Sequence, residues 1–204
     1  MKKLLYLHGF ASSGASGTVE ILRRAFLGGK DEERISVIAP DIPVDPLDAL
    51  PMIKSLAERE QPSLIVGTSM GAMYAQQLNG FERICVNPCF ALSSKYDILS
   101  VGKHKWLNRR KDGATEFHVT KDTVRHFREM EEHQFDNWKA GAPENLLCMG
   151  LFGTEDTTVN CREEFQRYYP NVQTFEGGHR MNQKVLKNVV MPLIKRLEKN
   201  GRKV

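Results

Sequence analysis

The sequence has no hydrophobic run that approaches the roughly 18 residues of a membrane-spanning helix. Its longest apolar stretches, such as Leu146–Phe152, are far shorter. After Lys2 and Lys3 the run Leu4–Leu7 stops at His8, too soon to form the apolar core of a secretory signal. Charge of one sign is not in large excess either. Lys and Arg number 29 against 25 Asp and Glu, which leaves +4 with the six histidines neutral. So small and scattered a surplus gives no footprint for a nucleic acid. Cysteine is sparse: Cys85, Cys89, Cys148 and Cys161 lie in or beside apolar segments, and none forms a CxxC pair. Cys85 and Cys89 are four apart, but no His or Cys follows at zinc-ligand spacing, so buried free thiols are expected rather than a metal site. There is no internal repeat and no low-complexity tract. These absences point to a cytoplasmic protein that needs no metal or cofactor, binds neither membrane nor nucleic acid, and carries no indication of a homo-oligomer.

What remains is ordinary for a globular chain. Of the 204 residues 41% are hydrophobic and 26% charged, which suits one domain spanning 1–204 with a core of useful size. Short apolar runs alternate with amphipathic stretches, the βαβ rhythm of an α/β domain. Strands are expected at Leu4–His8, Ser36–Ala39, Leu64–Gly67, Arg83–Asn87, Leu146–Phe152 and Val172–Phe175. Most are nearly continuous in apolar character, as in a parallel sheet covered on both faces. Helices are expected at Thr18–Leu27, closed by Gly28-Gly29; from Asp45-Pro46 to Glu60; at Ala72–Leu78; at Asn160–Tyr169; and at Gln183–Lys199, with a kink at Pro192. The stretch from Phe90 to Pro143 breaks the rhythm, with no core strand and one charged helix, Lys121–Lys139. Val124, Phe127, Phe135 and Trp138 form an apolar stripe along it. An insertion of roughly fifty residues is too long for an ordinary loop, and we read it as a cap covering approximately 91–142.

The sharpest chemical signal is Gly67-Thr68-Ser69-Met70-Gly71. A buried strand ends immediately before this G-x-S-x-G sequence and a helix starts immediately after it, the surroundings a nucleophile elbow requires. The turn is so tight that the residues two before and two after the serine must be small. Ser69 is then lifted above the sheet at a helix N-terminus. A serine hydroxyl is a weak nucleophile and needs a base oriented by a carboxylate. His179 has a suitable address, just past the last expected strand and behind Gly177-Gly178. His104, His118, His126 and His133 fall in the charged insertion, where most histidines are merely solvated. For the acid, Asp156 and Glu155 compete in Gly153-Thr154-Glu155-Asp156-Thr157-Thr158-Val159, and Asp156 is favoured because its G-x-x-D-x-x-V setting resembles the acid loop of many serine hydrolases. Backbone N–H groups of Met70 and Phe10 are the expected oxyanion donors, Phe10 following the first strand in Leu7-His8-Gly9-Phe10. The His8 side chain is expected to pack that loop. Phe90 and Trp106 are candidates to wall an acyl pocket beneath the cap. Lys103, Lys105, Arg109, Arg110 and Lys111 cluster around Trp106, either as a solvated edge or as a site for a phosphate-bearing leaving group.

Taken together, Tyr6-Leu7-His8-Gly9-Phe10 with Ser12-Ser13, the Gly67–Gly71 elbow, Asn87-Pro88, the Gly153–Val159 loop and Gly178-His179 resemble the α/β-hydrolase superfamily. Within it the likeness is to the small bacterial YqiA-like esterases, with Cys89 standing where a small residue such as alanine is expected. The resemblance implies a three-layer α/β-hydrolase fold with a trimmed, mostly parallel sheet of about six strands and a helical cap insertion. It also implies that the first and third strands are neighbours, which would bring Phe10 N–H beside Met70 N–H. The implied activity is hydrolysis of carboxylic esters or thioesters of small acyl groups. Amide or C–C bond cleavage on the same scaffold, or a silent binding module, are the alternatives.

Overall fold

The computed structural model describes residues 1–28 and 34–200. Its sheet is built from β1 (Lys2–Leu7), β2 (Ile35–Ile38), β3 (Leu64–Thr68), β4 (Arg83–Val86), β7 (Cys148–Gly153) and β8 (Asn171–Phe175). They lie in the order β2-β1-β3-β4-β7-β8, and every pairing is parallel. β1 and β3 are neighbours, with Leu7 opposite Gly67. The chain winds one way from β1 to β2 and the other way from β1 to β3, so their carboxyl ends flank the switch point where ligands of such sheets bind.

Alternation along the buried strands explains the layers. Leu5 and Leu7 of β1 face one core together with Ile53 of α2 (Pro46–Glu60), Met73 of α3 (Met70–Gln76) and Phe165 of α5 (Arg162–Tyr168). Leu4 and Tyr6 face the other core, with Leu22 of α1 (Gly17–Leu27) and Ile194 of α7 (Met191–Asn200). Each fully buried Leu or Ile contributes about 2 kcal/mol, so both faces need apolar residues at every other position. That need produces the continuous apolar runs of the sequence. Cys85, Cys89 and Cys148 are free and buried, Cys161 is free and half-buried, and burial pushes the Cys89 thiol up to about 12. Among the described residues no helix is long and apolar enough to cross a membrane.

Several expected boundaries shift for physical reasons. β7 starts at Cys148 rather than Leu146, because Pro143–Leu147 forms a 3-10 turn and leaves Leu146 exposed. α1 is capped by Gly28, and Gly29 lies outside the described residues. The C-terminal helix is interrupted before Pro192: α6 (Gln183–Val185) passes into a wide π turn, Leu186–Val190, and then into α7. A proline lacks the N–H and crowds the carbonyl four residues back, which a π turn accommodates.

The insertion holds the largest departure. In place of a purely helical cap the chain forms an antiparallel hairpin outside the main sheet, β5 (Gly102–Lys105) with β6 (Glu116–Val119). α4 then runs over Lys121–His133, not to Lys139, opened by the reciprocal Thr120–Thr123 capping bonds. Phe135 and Trp138 therefore leave the helical stripe. Phe135 stacks on Tyr168 at 3.7 Å, and Trp138 Nε1–H donates to the Tyr168 carbonyl at 2.6 Å.

Candidate active site

β3 delivers Ser69 to the carboxyl edge of the sheet and α3 begins at the next residue. Ser69 has φ 54° and ψ −118°, a positive-φ conformation that costs a non-glycine residue about 1–3 kcal/mol and that the surroundings must enforce. Two close backbone approaches do so. A Cβ on Gly67 would sit 2.6 Å from Ala72 Cα, and one on Gly71 would sit 2.6 Å from the His8 carbonyl oxygen. The two glycines thus let the strand, the helix and the end of β1 close on one another. Ser69 N–H donates to the Val86 carbonyl at 3.0 Å, and its own carbonyl accepts from Cys89 N–H at 3.2 Å.

The structure brings the expected partners to this serine. His179 Nε2 lies 3.0 Å from Ser69 Oγ, and His179 Nδ1 lies 2.8 Å from Asp156 Oδ2. The other oxygen, Asp156 Oδ1, accepts the N–H groups of Thr158 and Val159 at 2.9 Å each. With the carboxylate so fixed, its second oxygen orients the imidazole. Asp156, not the exposed Glu155, makes this contact. Glu155 instead uses its backbone N–H, which donates to the Gly177 carbonyl at 2.9 Å and ties the acid loop to the histidine loop. Among the described residues no group of three His, Cys, Asp or Glu side chains could hold a metal ion.

The sequence pattern of the uncharacterised protein family UPF0227 matches residues 3–195. The chain belongs to UPF0227. Its structure is similar to Est1E from Butyrivibrio proteoclasticus, solved with ferulic acid bound, at a TM-score of 0.67 and 13% identity over 98% of this chain and 89% of that one. It is also similar to the monoacylglycerol lipase of Paleococcus ferrophilus, with a TM-score of 0.64 and 14% identity over 98% of this chain and 95% of that one. Mouse α/β-hydrolase domain-containing protein 10 gives 0.64 and 14% over 97% and 90%. Likenesses at such low identity establish the fold, and it is the α/β-hydrolase fold expected from the sequence.

In this UPF0227 chain the loop after β1 rests against the serine: a Cβ on Gly9 would meet Ser69 Cβ at 3.4 Å. The Gly9 carbonyl accepts from Ser12 N–H at 3.2 Å and from His8 Nδ1–H at 2.8 Å. A trans peptide points its N–H opposite to its C=O, so these bonds also set the direction of the Phe10 N–H. On the other side of the serine, Met70 N–H opens α3 and has no carbonyl within that helix to bond.

His8 is 2% exposed and packs the loop as expected. Its Nε2 accepts from Ile42 N–H at 3.0 Å, which places the proton on Nδ1. Burial lowers its pKa from 6.5 to about 4; the Gly9 carbonyl and Asp41 oppose the shift and Arg110 reinforces it. Between those two pH values the unfolded chain takes up a proton that the folded chain refuses. Stability from this group is complete above pH 6.5 and is lost as the pH falls towards 4, by up to roughly 3 kcal/mol. His8→Gln, which keeps an acceptor but cannot titrate, is expected to flatten the pH dependence of urea denaturation in that window. A slope unchanged by the substitution would contradict the assignment.

The remaining candidates divide. Phe90 is only 2% exposed and packs edge-on to Phe135 at 5.0 Å and parallel to Phe165 at 6.2 Å, a core ring rather than an open wall. Trp106 lies on the hairpin with Phe117 at 4.1 Å, and Phe117 meets Phe10 at 5.5 Å. The hairpin's inner face therefore covers the loop beside Ser69. Exposure alternates strictly along 101–110, and this separates the basic cluster. Lys103, Lys105 and Arg109 share the outer face and Lys111 is exposed, whereas Arg110 turns inward, stacks on Trp106 at 4.0 Å and donates to the Ile42 carbonyl.

One residue has a part in the site that sequence reasoning missed. Asn87, 1% exposed and in a positive-φ conformation (43°), bonds with its side chain to both the acid and the histidine loops. Asn87-Pro88 stood out in the sequence, but these partners lie too far along the chain for any local pattern to reveal.

Proposed function

We propose that the protein is a serine hydrolase that cleaves carboxylic esters, or thioesters, of small acyl groups through an acyl-serine intermediate. The observation that carries this reading is the continuous bonded line from Asp156 through His179 to Ser69. Ser69 Oγ attacks the acyl carbon while its proton passes to His179 Nε2, and Asp156 holds the resulting imidazolium. The carbonyl π pair moves onto oxygen, where the N–H groups of Phe10 and Met70 bind it, each contributing about 3 kcal/mol. The intermediate collapses, the proton on Nε2 goes to the departing alkoxide or thiolate, and the acyl-serine remains. Water then repeats the sequence and releases the acid.

The insertion 91–142 is proposed as the cap, with Phe10 and Trp106 as apolar contacts for the acyl group. The partner is a small-molecule ester, and the proposed setting is the cytoplasm. The outward aim of Lys103, Lys105 and Arg109 weighs against their holding a phosphate-bearing leaving group at the reaction centre. A direct test compares p-nitrophenyl butyrate, a butyryl thioester of a neutral thiol, and butyryl p-nitroanilide. Turnover of the first two well above the third is expected. An anilide cleaved as fast as the ester, or no turnover of any of them, would overturn the reading.

A further inference from the structure

We propose that Asn87 is a positioning residue for the reaction at Ser69: one amide side chain registers the acid loop and the histidine loop to the segment that holds the nucleophile. This rests on the serine-hydrolase reading above and adds to it a residue outside the bonded line.

The segment Val86–Cys89 touches the three parts of the site. Val86 and Cys89 clamp the Ser69 backbone, through its N–H and its carbonyl respectively. Between them, Asn87 N–H donates to the Leu151 carbonyl of β7 at 2.9 Å. Asn87 Oδ1 accepts from Gly153 N–H at 2.8 Å, where β7 passes into the loop of Asp156. Its Nδ2 donates to the Gly178 carbonyl at 3.1 Å and to the His179 carbonyl at 3.0 Å. The acid and histidine loops also bond each other, through Thr154 N–H to Phe175 and Glu155 N–H to Gly177, and a Cβ on Gly153 would meet the Gly178 carbonyl at 2.8 Å. Those bonds make the two loops one unit. Asn87 sets where that unit stands relative to Ser69.

The chemistry of the position selects asparagine. One side must accept from an N–H and the other must donate to two carbonyls, which fixes the orientation of the amide and excludes a carboxylate. The backbone at φ 43° is a conformation that asparagine tolerates better than most residues. A buried donor or acceptor left unmatched there would be relieved by movement of the loop that carries His179.

Asn87→Asp tests this. It keeps the shape, the backbone tolerance and the acceptor for Gly153, and it turns the second side into an acceptor facing two carbonyls. Asn87→Gly removes the side chain without backbone strain and serves as the second variant. For p-nitrophenyl butyrate, well below each variant's melting temperature, kcat per folded chain is expected to fall about 100-fold with KM within about threefold, the loss that a displacement of the order of 1 Å produces. The low-field proton resonance of the His179–Asp156 hydrogen bond should shift or vanish in parallel. A purely structural residue would lower the melting temperature and leave both unchanged. Parental kcat and resonance in either folded variant, while Ser69→Ala abolishes turnover, would overturn this inference alone. Turnover unaffected by Ser69→Ala would overturn the serine-hydrolase reading and this inference with it.

Discussion

Replacing Ser69 by alanine is expected to lower turnover of p-nitrophenyl butyrate by about 10⁶-fold while leaving the melting temperature close to that of the parent. The substitution removes one oxygen, Oγ, whose partner in the structure is His179 Nε2. The strained backbone at φ 54° is shared by either side chain, so the fold has little to gain or lose. His179→Ala should cost a similar factor, and the double variant should be no slower than either single one, because nucleophile and base act as a unit. Asp156→Asn keeps the shape but can no longer hold the imidazole in the required tautomer, and a loss of about 10⁴-fold is expected. Additive losses in the double variant would mean that Ser69 and His179 work separately, contrary to the bond between them. Steady-state kinetics on the four variants decides the matter.

Gly71→Ala is the second large effect, and it acts on the fold. The added Cβ would lie 2.6 Å from the His8 carbonyl oxygen and nearer still to the Leu7 carbonyl, all of it backbone that no rotamer change can move aside. Helix α3 must then pull away from the end of β1, which separates the loop bearing Phe10 from Ser69. A cost of about 3 kcal/mol or more follows, with a fall in melting temperature of about 10 °C and a loss of activity in whatever remains folded. Gly17→Ala is the control. Its Cβ would meet nothing within 4 Å on the first residue of α1, and it should be neutral or slightly stabilising. Thermal unfolding of the two variants side by side checks the contrast; equal melting temperatures would contradict the close approach at the elbow.

The features legible in the sequence are those that local chemistry dictates. Leu64-Ile65-Val66 must be buried on both faces of the sheet, and Gly67 and Gly71 must lack side chains because backbone passes them at contact distance. The elbow therefore shows as a pattern of neighbouring residues. Its partners showed less fully: His179 and Asp156 could be picked out by position after strands, but not placed within bonding reach. The hairpin β5–β6 was hidden because its strands are short and polar. Only one side of Val101–Arg110 is covered, by rings such as Trp106 and Phe117, and the period of two was masked by a run of lysines and arginines. The residue types themselves do not follow that period, since Val101 and Leu107 are exposed and Arg110 is buried, so the inward turn of Arg110 shows only in the fold. Phe90, an expected pocket wall, is covered by Phe135 and Phe165 from segments far along the chain, contacts that no local pattern shows. Asn87 is the limiting case. Its backbone conformation fits its residue type, but its bonds run to Gly153 and His179, and only the folded sheet brings these together.

The assignment of Ser69 as an activated nucleophile is tested most directly by covalent labelling. The parent protein is treated with a fluorophosphonate and digested, and the modified peptide is sequenced by mass spectrometry. A single adduct on Ser69, abolished in His179→Ala, is the expected result. An adduct on another residue, none at all, or labelling of Ser69 that persists undiminished without His179 would contradict it.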